Sequence, residues 1–207
     1  MAIEPSMLQA LILGSAERIA AAEEELCALD AAIGDGDHGT NMKRGFDAVR
    51  DMAEALSALP TEAALTAIGR TLVMTVGGAS GPLYGSFFLA TGTAIEQGRR
   101  LPEDLAEVFA AGMAAVGARG RSTPGEKTML DVLAPVLDVL RAEAGRPGLA
   151  DKVRAVARQS AELTAPMLAT KGRAAYLGPR SVGHVDPGAK SSCLIVEAIC
   201  DSWEARL

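Results

Sequence analysis

A chain of 207 residues with 49% hydrophobic residues, 3% aromatics and a formal net charge of −6 has the length of one domain and ample apolar material for a core. So few aromatics favour a core of Ala, Leu, Val, Ile and Met in close-packed helices over sheets. The acidic balance, with no Lys/Arg cluster interleaved with aromatics, speaks against nucleic acid; Cys27, Cys193 and Cys200, without C-x-x-C spacing, speak against a disulfide framework or a zinc site.

Apolar residues at Leu8, Leu11, Ile19, Ala22, Leu26 and Leu29, with Ser15 on the same stripe, predict a first helix over 6–29 capped by Ser6. An acidic loop, 30–37, follows. Thr40 or Asn41, both good N-caps, starts a second helix that runs to about Leu56. Pro60-Thr61-Glu62 opens a third, about 62–76, and Gly81-Pro82 a fourth that ends near Gly98. Leu105, Val108, Phe109, Met113 and Val116 mark the fifth; Met129, Leu133, Val136, Leu137 and Leu140 the sixth; Val153, Val156, Ser160, Leu163 and Met167 the seventh. An irregular segment at 171–187 precedes the eighth, from about Pro187 to the end, with Leu194, Ile195, Ala198, Ile199 and Trp203 on its face.

No stretch reads as a strand, so the predicted class is all-α: one domain, 1–207, built as an eight-helix antiparallel up-and-down bundle. The uncharged run between Arg70 and Glu96 is long enough to span a bilayer, but Gly77-Gly78-Ala79-Ser80-Gly81-Pro82 would break it at mid-membrane. No membrane association is expected. The start, M-A-I-E-P-S-M, lacks the basic residues and apolar run of a signal peptide, and the expected location is the cytoplasm. Connections after the second, fourth and sixth helices are short and ordinary. Those after the first, third, fifth and seventh are rich in Gly, Asp, Ser and His, and an up-and-down path gathers them at one mouth.

That mouth carries the chemistry. Asp30 to Met42 reads D-A-A-I-G-D-G-D-H-G-T-N-M, three acids interleaved with glycines ahead of a helix start. Converging oxygens of this kind suit Mg²⁺, which in proteins sits on a few carboxylates plus substrate phosphates. The spacing is not that of an EF-hand, which needs D-x-D-x-D-G and a closing Glu. Gly77-Gly78-Ala79-Ser80-Gly81 leads into a helix whose N–H groups suit a phosphate. Gly125-Glu126-Lys127-Thr128-Met129 offers Lys127, read as a solvated or paired surface charge, and Met129, a core methionine that could also lie against a flat base. Arg173, Arg180, His184 and Asp186-Pro187-Gly188 supply phosphate-gripping cations and another helix start. Gly183 to Ser191 is not a Walker A loop, because Ala189 interrupts the G-K pair and no strand precedes it. His38 and His184, without helical pairing, read as structural hydrogen-bonders rather than metal ligands. Carboxylates, helix starts and an arginine together suggest a Mg-nucleotide site.

The motifs G-D-G-D-H-G-T-N-M (34–42), G-G-A-S-G-P-L-Y-G (77–85), G-E-K-T-M-L-D-V (125–132) and Y-L-G-P-R-S-V-G-H-V-D-P-G-A-K-S-S (176–192) resemble the nucleotide-binding L subunit of dihydroxyacetone kinase, in family order over nearly the whole chain. The resemblance implies an eight-helix antiparallel barrel with ADP or ATP bound at one end. It implies Asp30, Asp35 and Asp37 as ligands of two Mg²⁺ ions; His38, Gly39, Thr40 and Asn41 as the first nucleotide-contacting run; and Ala79 and Ser80 as phosphate-loop contacts. Gly120 and Met129 would enclose the base and ribose, and Arg173 with Asp186, Pro187 and Gly188 would make the last contacts. It also implies a separate K subunit that binds dihydroxyacetone and a phosphohistidine-bearing M subunit of the phosphotransferase system that rephosphorylates retained ADP. A homodimer is compatible with the sequence. Three alternatives remain open: an ATP-dependent subunit with exchanging nucleotide, acting on dihydroxyacetone or a four-carbon ketose; the nucleotide domain of a fatty acid kinase, which favours Thr where this chain has His38; and a nucleotide-binding regulatory or scaffold protein. No general base is expected in this chain.

Overall fold

The helices predicted over 6–29 and 40–56 are each broken once in the computed structural model, which describes residues 3–205. The first is α1 (Pro5–Ala21) and α2 (Glu23–Ile33), parted at Ala22, whose φ and ψ are −99° and 9°. The second is α3 (His38–Asp51) and α4 (Ala53–Ser57), parted at Met52. Neither break contains Gly or Pro, so the sequence gives no warning of it. The rest follow the predicted order: α5 (Thr61–Thr75), α6 (Ser80–Glu96), α7 (Leu105–Gly120), α8 (Leu130–Ala142), α9 (Leu149–Leu163) and α10 (Pro187–Glu204). Part of the segment read as irregular is a 3-10 helix, Arg173–Ser181, kinked at Gly178. Among the described residues there is no strand.

Contacts run α1 to α3, then α5, α6, α7, α8, α9 and α10, and α10 returns to α1. Among the described residues eight helices thus close a ring, with α2 carrying α1 onward against α3 and α10 and α4 lying against α1 and α5. The breaks bend two walls of the ring without adding members to it. Inside, Ile19, Leu26, Met42, Leu72 and Leu130 are fully enclosed in one apolar cluster. Val132, Val136, Ala157 and Cys193 fill a second between α8, α9 and α10. A third, small cluster joins Ile33 at the end of α2 to Ala169 and Ala174. The three cysteines are free thiols. No helix of the described residues is long and apolar enough to cross a membrane.

Candidate functional site

Asp30 is not in the acidic loop where the sequence reading put it. Ala31, Ala32 and Ile33 continue α2, and Asp30 lies buried on its last turns. This placement gives it a second task. Its Oδ2 accepts the backbone N–H groups of Asp37 at 2.9 Å and His38 at 3.2 Å. Asp30 therefore supplies from another helix the cap expected of Thr40 or Asn41, and α3 starts at His38, with no side-chain cap of its own. Gly34 passes so close beneath Asp30 that a Cβ there would overlap the carboxylate. Gly36, at φ 79°, then turns the chain back. The result is that one oxygen from each of Asp30, Asp35 and Asp37 lies within 4.8 Å of the others. Asp35 and Asp37 are exposed, and among the described residues a single cation touches the group: Arg173 Nη2, 2.8 Å from Asp35 Oδ2. Three carboxylates this close repel one another and favour any hard cation that joins them, so the donor set fits Mg²⁺.

Hydroxyl groups connect this cluster to the other loops. His38 is buried, with Nε2 2.9 Å from Ser191 Oγ on α10 and Nδ1 3.2 Å from Ser80 Oγ at the start of α6. Ser191 Oγ lies 3.0 Å from the Pro187 carbonyl, to which it donates. All three bonds form together when His38 carries its proton on Nε2 and Ser80 donates to Nδ1. Burial holds the imidazole below its ordinary range, against the opposing pull of Asp30 and Asp37, which keeps it neutral. Asn41 lies against Gly77, joining the second loop to the first. Tyr84, which the sequence reading did not single out, ties α6 to α10: its hydroxyl is 2.7 Å from Ser191 Oγ, 2.8 Å from Ser192 Oγ and 3.2 Å from the Gly188 carbonyl. Burial raises this phenol well above its usual range, so it stays protonated. Tyr84→Phe leaves buried oxygens short of a partner and is expected to cost about 1–3 kcal/mol in urea melts. An unchanged midpoint would show that this network adds nothing to the fold.

Asp186 caps α10 by accepting the Ala189 N–H at 2.8 Å, and its own N–H reaches Thr164 Oγ1 at 3.0 Å. It is half-buried, and lost hydration pushes its carboxyl up to about 7, although the Ala189 N–H and the Lys127 charge pull it down. Pro187 is buried at the first turn of α10, and Gly188 lies against the backbone of Met129. Met129 itself is buried in the core cluster at the start of α8. Ala79 is exposed just ahead of α6. Thr40 is exposed and donates to Glu23 Oε1 at 3.2 Å, and Gly120, at the end of α7, packs against Ser122 and Leu83. The reading of Lys127 as a surface charge is wrong: it is 1% exposed and donates to four backbone carbonyls.

Comparison with known proteins adds names to this geometry. A family model described as the DAK2 domain matches residues 32–201. The ADP-binding subunit DhaL of PEP-dependent dihydroxyacetone kinase 1 from Listeria innocua is 46% identical over 184 residues, which span 88% of this chain and 89% of that protein. The ADP-binding subunit DhaL of the PEP-dependent dihydroxyacetone kinase from Escherichia coli K12 is 41% identical, over 85% of this chain and 86% of that one. Among solved structures, the dihydroxyacetone kinase of C. freundii in complex with AMP-PNP and Mg²⁺ superposes with a TM-score of 0.79 at 26% identity, over 98% of this chain and 35% of that one.

Proposed function

The chain belongs to the DAK2 domain family, and on that premise we propose that it is the ADP- and Mg²⁺-binding subunit of a dihydroxyacetone kinase. The observation that carries this reading is the meeting of Asp30, Asp35 and Asp37 within 4.8 Å of one another, beside the starts of α3 and α6.

In this reading the three carboxylates hold two Mg²⁺ ions. Bound magnesium neutralises charge on the diphosphate and its transferring phosphoryl group. His38, Gly39, Thr40, Asn41, Ala79 and Ser80 face the phosphates, where N–H groups at the helix starts add fixed positive dipoles. Gly120 and Met129 enclose the base and ribose. Arg173, together with Asp186, Pro187 and Gly188, closes the last side. Phosphoryl transfer needs positioning and charge neutralisation more than a protein nucleophile. The chain therefore names no general base, and the groups that activate the sugar belong to a separate K subunit holding dihydroxyacetone. A phosphohistidine M subunit then returns phosphate to ADP, which stays on this chain as a cofactor. Support for the relay comes from the relatives named as ADP-binding subunits of PEP-dependent kinases, whose length this chain nearly fills.

A second reading, direct use of exchanging ATP, draws on the likeness to the C. freundii kinase complexed with AMP-PNP, although this chain covers only 35% of that one. Reconstitution separates the two. With K and M partners and the phosphotransferase proteins, phosphoenolpyruvate is expected to yield dihydroxyacetone phosphate, and ADP is expected to copurify. Nucleotide-free protein that turns over with ATP alone selects the second reading. No transfer from either donor refutes both and leaves a binding or scaffold role.

A further inference from the structure

Lys127 is the largest fully enclosed side chain among the described residues, and the site reading above gives it no role. Its backbone sits in the left-handed region, at φ 61°, rare for a residue with a side chain and common where function holds the chain in place. Its ammonium donates to the carbonyls of His184 at 2.6 Å, Ser181 at 2.7 Å, Met167 at 3.1 Å and Ala165 at 3.3 Å. An ammonium has three N–H bonds, so four carbonyls saturate it.

These carbonyls mark the two ends of one excursion of the chain. It leaves at the end of α9 and returns at the start of α10. At the neck, the Gly183 N–H bonds to the Ala165 carbonyl at 2.8 Å and the Asp186 N–H to Thr164 Oγ1 at 3.0 Å. Ala169 donates to Ser181 Oγ at 3.0 Å across the same neck. Beyond it the excursion rests on little among the described residues: Ala169, Ala174 and Leu177 against Ile33, Arg173 on Asp35 at 2.8 Å, and, on Glu126, the Thr170 N–H at 3.4 Å and the Lys171 ammonium at 3.7 Å. Tyr176 on its outer side is 90% exposed.

We propose that Lys127 is a positioning residue: its ammonium closes the neck of the 164–186 excursion, which holds Arg173 over the acidic cluster and so retains the nucleotide. This rests on the nucleotide-site reading. Four carbonyl oxygens aimed at one point repel each other without a cation between them, and a buried unpaired carbonyl is costly. A compact ammonium suits this cage better than a planar guanidinium. Burial favours loss of the proton and the Asp186 charge opposes it, so the ammonium is held by carbonyl dipoles with that carboxylate in support.

Lys127→Met keeps most of the unbranched apolar stem and removes the charge. In nucleotide-free protein, hydrogen exchange should quicken across 165–186 and stay unchanged in α5 and α6. With Mg²⁺ and a fluorescent ADP analogue, release should be at least about tenfold faster. Leu56→Ala, a core variant on α4, whose main contacts are with α1, α3 and α5, controls for general loss of stability and should keep both the slow release and the protected excursion. Exchange that is unchanged or raised evenly over the whole chain, or release no faster than in the control, overturns the proposal. Should Lys127→Met fail to fold, Lys127→Ala is examined in ammonium and in tetramethylammonium chloride. Slow release restored by ammonium alone supports the cage, and no restoration refutes it. Wild-type protein that binds no ADP analogue would sink the function, while the exchange measurement would still judge the neck.

Discussion

Asp35→Ala is expected to weaken Mg²⁺-dependent ADP binding on the order of 100-fold, about 2.7 kcal/mol, while leaving the helical content unchanged. The two halves of this result come from different features of the same residue. Asp35 is exposed, and its charged partner is Arg173, itself 69% exposed, so the pair adds little to folding. Yet Asp35 contributes one of three oxygens that converge within 4.8 Å, and a hard cation loses a charged ligand when it goes. Asp30→Ala should behave differently. It removes a ligand and also strips the acceptor from the Asp37 and His38 N–H groups, so it is expected to lose about 1–2 kcal/mol of stability as well as the binding. Titration calorimetry of ADP with Mg²⁺, beside circular dichroism, reads both. An Asp35→Ala variant with normal helicity and unchanged affinity would remove the metal from the account.

Gly39→Ala is expected to be the most damaging change of a single methyl group near the site, at about 3 kcal/mol in thermal or urea melts. A Cβ on Gly39 would overlap the backbone carbonyl of Glu23 and lie 2.9 Å from Cys27 Sγ. The sulfur can turn aside, but a carbonyl inside α2 cannot, so α3 must move away from α2. That movement carries the Asp37 and His38 N–H groups off Asp30, and binding should fall together with stability. Adding Cys27→Ala relieves the contact with sulfur and is expected to recover only a small part of the loss. Full recovery, or no loss at all, would show that α3 shifts against α2 at little cost.

What could be read in the sequence was whatever depends on local periodicity. Stripes such as Val108–Val116 and Leu133–Val136–Leu137 mark inner faces because burial selects apolar residues every three or four positions, although Leu105, read on the first stripe, is exposed at the start of α7. The gathering of loops also followed from local signals, since alternate connections in an up-and-down path share an end. The ring keeps that order because the breaks at Ala22 and Met52 divide helices without adding members to the ring. The breaks themselves were illegible: neither has a Gly or Pro, and the first falls where α3 presses on α2 through Gly39.

Residues whose partners lie far along the chain escaped local reading. Asp30 looked like the first acid of a loop because glycines follow it, but Ala31, Ala32 and Ile33 are good enough helix formers to carry α2 past it. Its capping of α3 reaches seven and eight residues away, beyond the reach of a rule that looks for a cap next to the helix. Lys127 looked like surface because lysines usually are. The carbonyls that surround it are 38 to 57 residues distant, and nothing in G-E-K-T-M announces them. Tyr84 could have been noticed: it is one of two tyrosines in a chain poor in aromatics, on an otherwise apolar helix, and a buried phenol requires a partner.

The central claim is that Asp30, Asp35 and Asp37 together grip the cation that carries the diphosphate. Anomalous diffraction from crystals grown with ADP and Mn²⁺ tests it most directly. Manganese peaks bonded to oxygens of all three aspartates, with the diphosphate on their far side, are the predicted result. A diphosphate bound with the manganese elsewhere, or with the three aspartates turned away from it, would contradict the account.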